Sequence, residues 1–382
     1  KPFSVDSVSL VNTNSAEGVT AQYDNKNIGT RTVSFSNIGL TGTGAGNYNL
    51  VNPTESRQIT TNEVQLSAIK LYDGTNVVDN SDTVTITTSA GENLRFSGAQ
   101  TAYNNVNDAN NYFTHFTLLN GVGAGAGLAS NYTLPDLSTH HPANNYVSVN
   151  QRGLSVTASD ETKEYGVAGT LDGTSPSSFS TSGLQNGETV GSVTLTASGG
   201  GELASANVGT YTITPSAVTG GTFDLNNYDI SYATGVLEKT RKELSISGLA
   251  AENKTYDGTR AATISNYGTL NGILSFDGGT SYDDVFLNTG SLSNSATFGS
   301  KNAANGKTVT LSLANGNLSG AKAGNYSISN ETTTANVDKK IVGLSASRIY
   351  DGSIDLSGSV TITTDVGSEI LTYSGATSSS QH

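Results

Sequence analysis

Apolar residues alternate with Ser and Thr in short runs along the chain, as in Val84-Thr85-Ile86-Thr87, Val193-Thr194-Leu195-Thr196, Val309-Thr310-Leu311-Ser312-Leu313 and Val360-Thr361-Ile362-Thr363. A period of two puts one face of the segment on a core and the other in water, so each run predicts a half-buried strand. Leu66-Ser67, Leu154-Ser155, Leu244-Ser245 and Leu344-Ser345 open further strands of this kind. No stretch sustains a 3.6-residue period over three turns, and Gly320-Ala321-Lys322-Ala323-Gly324 predicts a single helical turn at most. The pattern predicts an all-β or β-rich chain.

The strands come in a repeating order. Lys70-Leu71-Tyr72-Asp73-Gly74-Thr75, Lys163-Glu164-Tyr165-Gly166, Lys254-Thr255-Tyr256-Asp257-Gly258-Thr259 and Arg348-Ile349-Tyr350-Asp351-Gly352-Ser353 form a start marker whose tyrosines are 93, 91 and 94 residues apart. That period is the size of a small domain rather than of a solenoid repeat. Tyr followed by Asp-Gly reads as a strand entering a tight turn: Asp bonds its own backbone, Gly takes positive φ, and the Tyr ring buries while its hydroxyl finds a partner. A finish marker, Asn-Tyr followed by alternation, recurs at Asn47-Tyr48, Asn131-Tyr132, Asn227-Tyr228 and Asn325-Tyr326. The markers divide the chain into residues 1–62 (the second half of a repeat), 63–150, 151–241, 242–339, and 340–382 (the first half of a repeat). Both ends then fall within a domain.

With Tyr-Asp-Gly-Thr near its start and Gly-Ala-x-Ala-Gly-Asn-Tyr near its end in the form of Lys322-Ala323-Gly324-Asn325-Tyr326, the segment 242–339 resembles the YDG repeat of large bacterial adhesins of the filamentous-haemagglutinin type. Residues 63–150 resemble a diverged copy. Residues 151–241, with Glu164-Tyr165-Gly166 and Asn207-Val208-Gly209-Thr210-Tyr211, resemble the related MBG repeat. The resemblance implies tandem small β domains, β-grasp-like or sandwich-like, in an elongated array. It also implies a secreted or cell-surface stalk, exported by two-partner secretion and serving adhesion, biofilm formation and virulence, with no catalytic or ligand residues to carry over.

Composition narrows this further. The 382 residues include no Cys, Met or Trp, only 13% are charged, and Gly numbers 44. Absence of Cys excludes disulfide scaffolds and thiolate metal sites. A net charge of −13 argues against nucleic acid and anionic membrane partners. No apolar run approaches a membrane span, so no membrane insertion is expected. The basic residues Arg57, Arg152, Lys239, Arg241, Lys242, Lys339 and Lys340 cluster at the joints between repeats and read as solvated junction residues.

Candidate chemistry is sparse. His115, His140, His141 and His382 are too scattered for a triad or zinc site. Asp283-Asp284, Asp257, and Asp73 with Asp79 and Asp82 read as turn caps before calcium ligands, because no twelve-residue calcium loop is present. The recurring Lys of the start marker suggests an isopeptide crosslink to Asn, except that Arg348 replaces it in the last copy and cannot form that bond. Sequons stand at Asn131, Asn253, Asn317, Asn325 and Asn330. The expectation is therefore no enzyme, no cofactor and no metal: a monomeric rod, on the order of 120 Å for four units of about 30 Å, that projects a binding domain toward a host receptor or glycan. The rival expectation makes residues 65–148 a glycan- or protein-binding module, with Tyr103, Tyr112, Phe113 and Asn111 as stacking faces and amide donors.

Overall fold

The structure, a computed structural model, describes residues 9–12, 20–51 and 54–379; His382 lies outside them. Regular structure among the described residues is short β-strand and single-turn 3-10 helix, with no α-helix. The all-β expectation holds for the reason the alternation gave: Val, Ile and Thr are stiff at χ1 and suit a pleat, while Asn and Gly end the runs. A β-grasp packs a helix on its sheet, and the described residues supply 3-10 turns and no α-helix.

Repeats 151–241 and 242–339 share one wiring. In the second, Lys242–Ser247 lies between Thr269–Asn271 and Tyr326–Ile328, pairing in parallel with the latter. Its start-marker strand Lys254–Thr255 pairs in parallel with Glu331–Asp338, which continues antiparallel into Ala304–Leu311 and Ala296–Phe298. In the first, Arg152–Ala158 lies between Phe179–Ser182 and Tyr228–Ala233, and Glu161–Glu164 pairs in parallel with Gly235–Thr240. In residues 63–150, Gln65–Leu71 pairs in parallel with Asn145–Asn150. The first strand of a repeat thus meets one of its last strands. Residues 20–59 hold an antiparallel sheet of Thr20–Tyr23, Gly29–Ser36 and Thr54–Ile59, and the 3-10 turn Ala45–Asn47 leads into Tyr48.

Each core follows from the alternation. In residues 63–150, Leu66, Ala68, Phe113, Phe116 and Val147 pack together, with the Phe113 and Phe116 rings 4.9 Å apart and edge-on. Residues 242–339 carry two cores. One is built from Phe298, Val309, Leu311 and Val337; the other, from Leu244, Leu318, Tyr326 and Ile328, takes in Tyr165 of the preceding repeat. The chain forms two compact units, one of residues up to Val156 with Thr181–Ser192 and Val218–Ser231, the other of Thr157–Ser180, Val193–Ala217 and the residues from Tyr232 onward. The division cuts through repeat 151–241 and leaves every junction between consecutive repeats inside one unit or the other.

Candidate functional site

The first three start markers end a strand, and the Tyr, Asp and Gly of the marker do three separate jobs. The aspartate closes its own turn: Asp73 Oδ1 accepts from the Thr75 amide at 2.9 Å, Asp257 Oδ1 from Thr259 at 2.9 Å, and Asp351 Oδ1 from Ser353 at 2.9 Å. The basic residue three positions earlier locks that turn. Lys70 Nζ donates to Asp73 at 2.7 Å and to the Val77 carbonyl at 2.6 Å, Lys254 donates to Asp257 at 2.8 Å and to the Thr259 and Ala261 carbonyls at 2.9 Å, and Arg348 reaches Asp351 and the Ser353 hydroxyl. These ammonium groups are engaged by carboxylate and carbonyl oxygens rather than facing an Asn side chain, so the geometry gives no isopeptide pair. In repeat 151–241, which lacks the Asp, the buried Lys239 takes over from the adjacent strand and donates to the Val167 carbonyl. Lys239 is therefore not a solvated junction residue; burial outweighs its neighbouring charges and lowers its pKa.

In the first three markers the tyrosine points out of its own repeat into the next. The Tyr72 hydroxyl donates to Glu188 Oε1 at 2.6 Å, and Tyr228, of the finish marker in Glu188's own repeat, donates to the other oxygen. Tyr165 donates to Asp283 Oδ2 at 2.8 Å, and Tyr326, finish tyrosine of that repeat, donates to the same oxygen at 2.6 Å. In both joints the two rings meet edge-on, with centroids 5.4 Å apart and planes at 79°. A carboxylate accepting from two phenols, one from each repeat, is the seam between consecutive repeats.

Burial, reinforced by the carboxylate bond, raises the pKa of Tyr72, Tyr165 and Tyr326, and pushes that of Tyr228 up to about 12. A folded-state pKa above the ordinary tyrosine value of 10.0 means that the fold holds the protonated phenol. That contribution to stability is complete below pH about 10 and is lost as pH rises through about 12. Titration of thermal stability is expected to show this alkaline loss, and variants with Phe in place of these tyrosines are expected to show less of it.

The glycine lets the next repeat approach. Gly74, Gly166 and Gly258 have φ of 75°, 95° and 79°. A Cβ built on them meets Asn186 Cβ at 2.6 Å, Leu274 Cδ1 at 2.3 Å and Val366 Cγ1 at 2.6 Å, all side chains of the following repeat. Both the turn and the contact call for glycine.

The finish asparagine forms a second clasp. Asn227 Oδ1 accepts the Val106 amide at 2.9 Å while its Nδ2 donates to Asn105 Oδ1 at 3.0 Å. Asn325 repeats this on Val208 at 2.8 Å and Asn207 at 2.9 Å, and Asn131 on Ile28 at 3.2 Å and Asn27 at 2.8 Å. In the earliest joint Glu92 accepts from Tyr132 at 3.0 Å and from Lys26. These two bonds hold the Glu92 pKa below the usual carboxylate range, with Lys26 the larger cause. Asn131 and Asn325 have their amides in the joint, so neither sequon is open for a glycan. Asn325→Ala removes both bonds and leaves the Val208 amide unpaired, which is expected to cost about 1–3 kcal/mol in calorimetric unfolding.

Of the four residues singled out for ligand binding, two are buried. Phe113 is fully buried in the core, and Asn111 is buried with Oδ1 accepting the Tyr103 and Tyr112 amides at 3.0 Å and Nδ2 donating to the Tyr103 carbonyl at 2.9 Å. Tyr103 is 46% exposed, and the half-buried Tyr112 donates to the Ser138 carbonyl at 3.2 Å. Phe113 has no free ring face for a sugar, and Asn111 has no spare donor directed outward. The aspartates weighed as calcium ligands bond to turn amides, hydroxyls, tyrosines and Lys70.

Sequence comparison matches residues 3–57 and 240–335 to the YDG domain and residues 154–238 to the MBG domain of YGX type. The chain thus carries YDG-type and MBG-type domains in tandem. No curated protein aligns with it at a significant level. Among solved structures, the crystal structure of Drosophila N-cadherin EC1-4 aligns at 10% identity over 86% of this chain and 93% of that one, with a TM-score of 0.16. A TM-score this low does not define a common fold.

Proposed function

We propose that the chain is a structural spacer: tandem YDG and MBG domains of a secreted or surface-displayed bacterial adhesin, coupled end to end so that a binding domain elsewhere in the parent protein is held away from the cell. The observation that carries this reading is the joint. The residues that define the repeats serve to fasten one repeat to the next, with Tyr on the next carboxylate, Gly against the next loop and Asn on the preceding loop. Buried, directional bonds across a seam resist bending better than exposed ion pairs, whose individual worth is below about 1 kcal/mol. A spacer needs that resistance, and an independent set of binding modules does not. Export by two-partner secretion and a role in adhesion and biofilm formation belong to this same proposal.

The test is binding of the full chain to a broad glycan array and to epithelial cells. The spacer reading expects no saturable binding. Saturable binding that Tyr112→Ala abolishes without changing the melting temperature would replace it by the reading in which residues 65–148 bind a host glycan or protein.

A further inference from the structure

Tension along the chain enters a repeat at its first strand and leaves at its last. In residues 63–150 those strands are Gln65–Leu71 and Asn145–Asn150, and they run parallel from the pair Leu66 and Asn145 to the pair Leu71 and Asn150. Entry and exit therefore lie at opposite ends of one ladder. Pulling them apart drags the two strands lengthwise past each other, and the evenly spaced bonds of a parallel ladder take the load together. An antiparallel pair would put entry and exit side by side and open one bond at a time.

The arrangement recurs, and the start tyrosine closes it each time. Glu161–Glu164 runs parallel to Gly235–Thr240 in the following repeat. In residues 242–339, Lys242–Ser247 runs parallel to Tyr326–Ile328, and Lys254–Thr255 to the end of Glu331–Asp338. The Tyr72 amide donates to the Asn150 carbonyl at 3.0 Å, Tyr165 to Thr240 at 2.9 Å and Tyr256 to Asp338 at 2.9 Å, each where the chain leaves its repeat. The hydroxyls of the same tyrosines are bonded to the next repeat. One residue thus holds the exit strand through its backbone and the following repeat through its side chain.

In residues 63–150 both strands are also tied to the rest of the fold. Leu66, Ala68 and Lys70 of the first strand and Val147 and Val149 of the last are buried, so one face of the ladder is dry. Lys70 fixes the far end of the entry strand through Asp73 and the Val77 carbonyl. Buried Asn145 fixes the start of the exit strand, with Oδ1 accepting the Phe113 amide at 2.9 Å and Nδ2 donating to the Asp136 carbonyl at 2.9 Å. Sliding either strand breaks these bonds along with the ladder.

We propose that these repeats are tension-bearing elements: the entry and exit strands of each form a parallel clamp, closed by the start tyrosine, that end-to-end pulling loads in shear. Service as a tether under tension rests on the spacer reading. The clamp is a property of single repeats, and its test stands whichever way the binding assay falls.

Single-molecule force spectroscopy on the 382-residue chain provides that test. The chain has no Cys, so an introduced pair defines where force is applied. Gln65→Cys with Asn150→Cys puts handles at opposite ends of the ladder and shears it, whereas Leu71→Cys with Asn150→Cys puts them on facing residues at one end and peels it. All three positions are exposed, and both variants are expected to melt with the unmodified chain. In shear, residues 65–150 are expected to give way in a single step of roughly 300 Å, their extended length. The force of that step is expected to be at least about twofold the peeling force at the same pulling speed, because forced unfolding reads the barrier along the pulling direction rather than overall stability. The unmodified chain held by its two termini is expected to show a step of similar length at the shear force. Equal forces in the two geometries, or gradual lengthening without a step in shear or in the unmodified chain, overturn the proposal.

Discussion

Tyr326→Ala is expected to destabilise the unit that contains it by about 3–5 kcal/mol, the usual cost of deleting a fully buried large aromatic side chain. Tyr326 is 0% exposed. Its ring packs edge-on against Tyr165, and its hydroxyl donates to Asp283 while accepting the Leu274 amide at 3.0 Å. The substitution therefore opens a cavity and also unpairs a buried amide and half of the seam. Melting followed by calorimetry or circular dichroism, which needs no Trp, reads the effect as a lowered transition for that unit. A change no larger than that of an exposed control, Tyr282→Ala at 66% exposure, would show that the ring is not the keystone described.

Asp283→Ala is expected to cost about 2–4 kcal/mol although it removes only a few atoms, because two buried phenols lose their acceptor together and each unpaired buried donor costs about 1–3 kcal/mol. Removing the donors as well should recover part of the loss. The triple variant Tyr165→Phe, Tyr326→Phe, Asp283→Ala is thus expected to be more stable than the single one, since replacing both partners of a buried hydrogen bond by apolar groups is far cheaper than orphaning one of them. Strict additivity of the three substitutions would contradict a shared bond network.

Much of the fold was legible in the sequence, because strands, turns and repeat length are local properties. Alternation located the strand at Thr83–Thr87, and the Tyr-Asp-Gly turn formed with Gly74 at positive φ. The partner of the tyrosine was not legible from the marker itself. Its hydroxyl crosses to a carboxylate 116 residues on in Glu188, 118 in Asp283 and 113 in Glu369, and no local rule names a residue so distant. A signal was nonetheless present. The carboxylate precedes the finish tyrosine by 40 residues in two repeats and 43 in the third, a spacing as regular as those of the markers themselves.

Two of the candidate ligand residues, Phe113 and Asn111, are buried for a related reason. Aromatic and Asn residues side by side, as in Asn110-Asn111-Tyr112-Phe113, look alike in a sugar site and in a folded turn, and only burial separates the two. Phe113 faces inward, and Asn111 replaces missing backbone partners. The basic residues at the joints divide likewise: Lys239 is buried, whereas Lys242 remains partly exposed and forms an ion pair with Glu164 at 3.1 Å. Composition could not tell these apart, since both lie on alternating strands at a repeat boundary.

The central claim, that the repeat-defining residues fasten consecutive repeats, is tested most directly by amide hydrogen exchange at Val208. Val208 lies in a loop, and its amide is bonded to Asn325 of the following repeat at 2.8 Å. The account predicts slow exchange at Val208 in the unmodified chain. It predicts exchange faster by about tenfold or more in Asn325→Ala, as loss of 1.4 kcal/mol or more of protection requires, with the Phe298 amide, deep in the other core, little changed. Fast exchange at Val208 in the unmodified chain, or protection that survives Asn325→Ala, would contradict it.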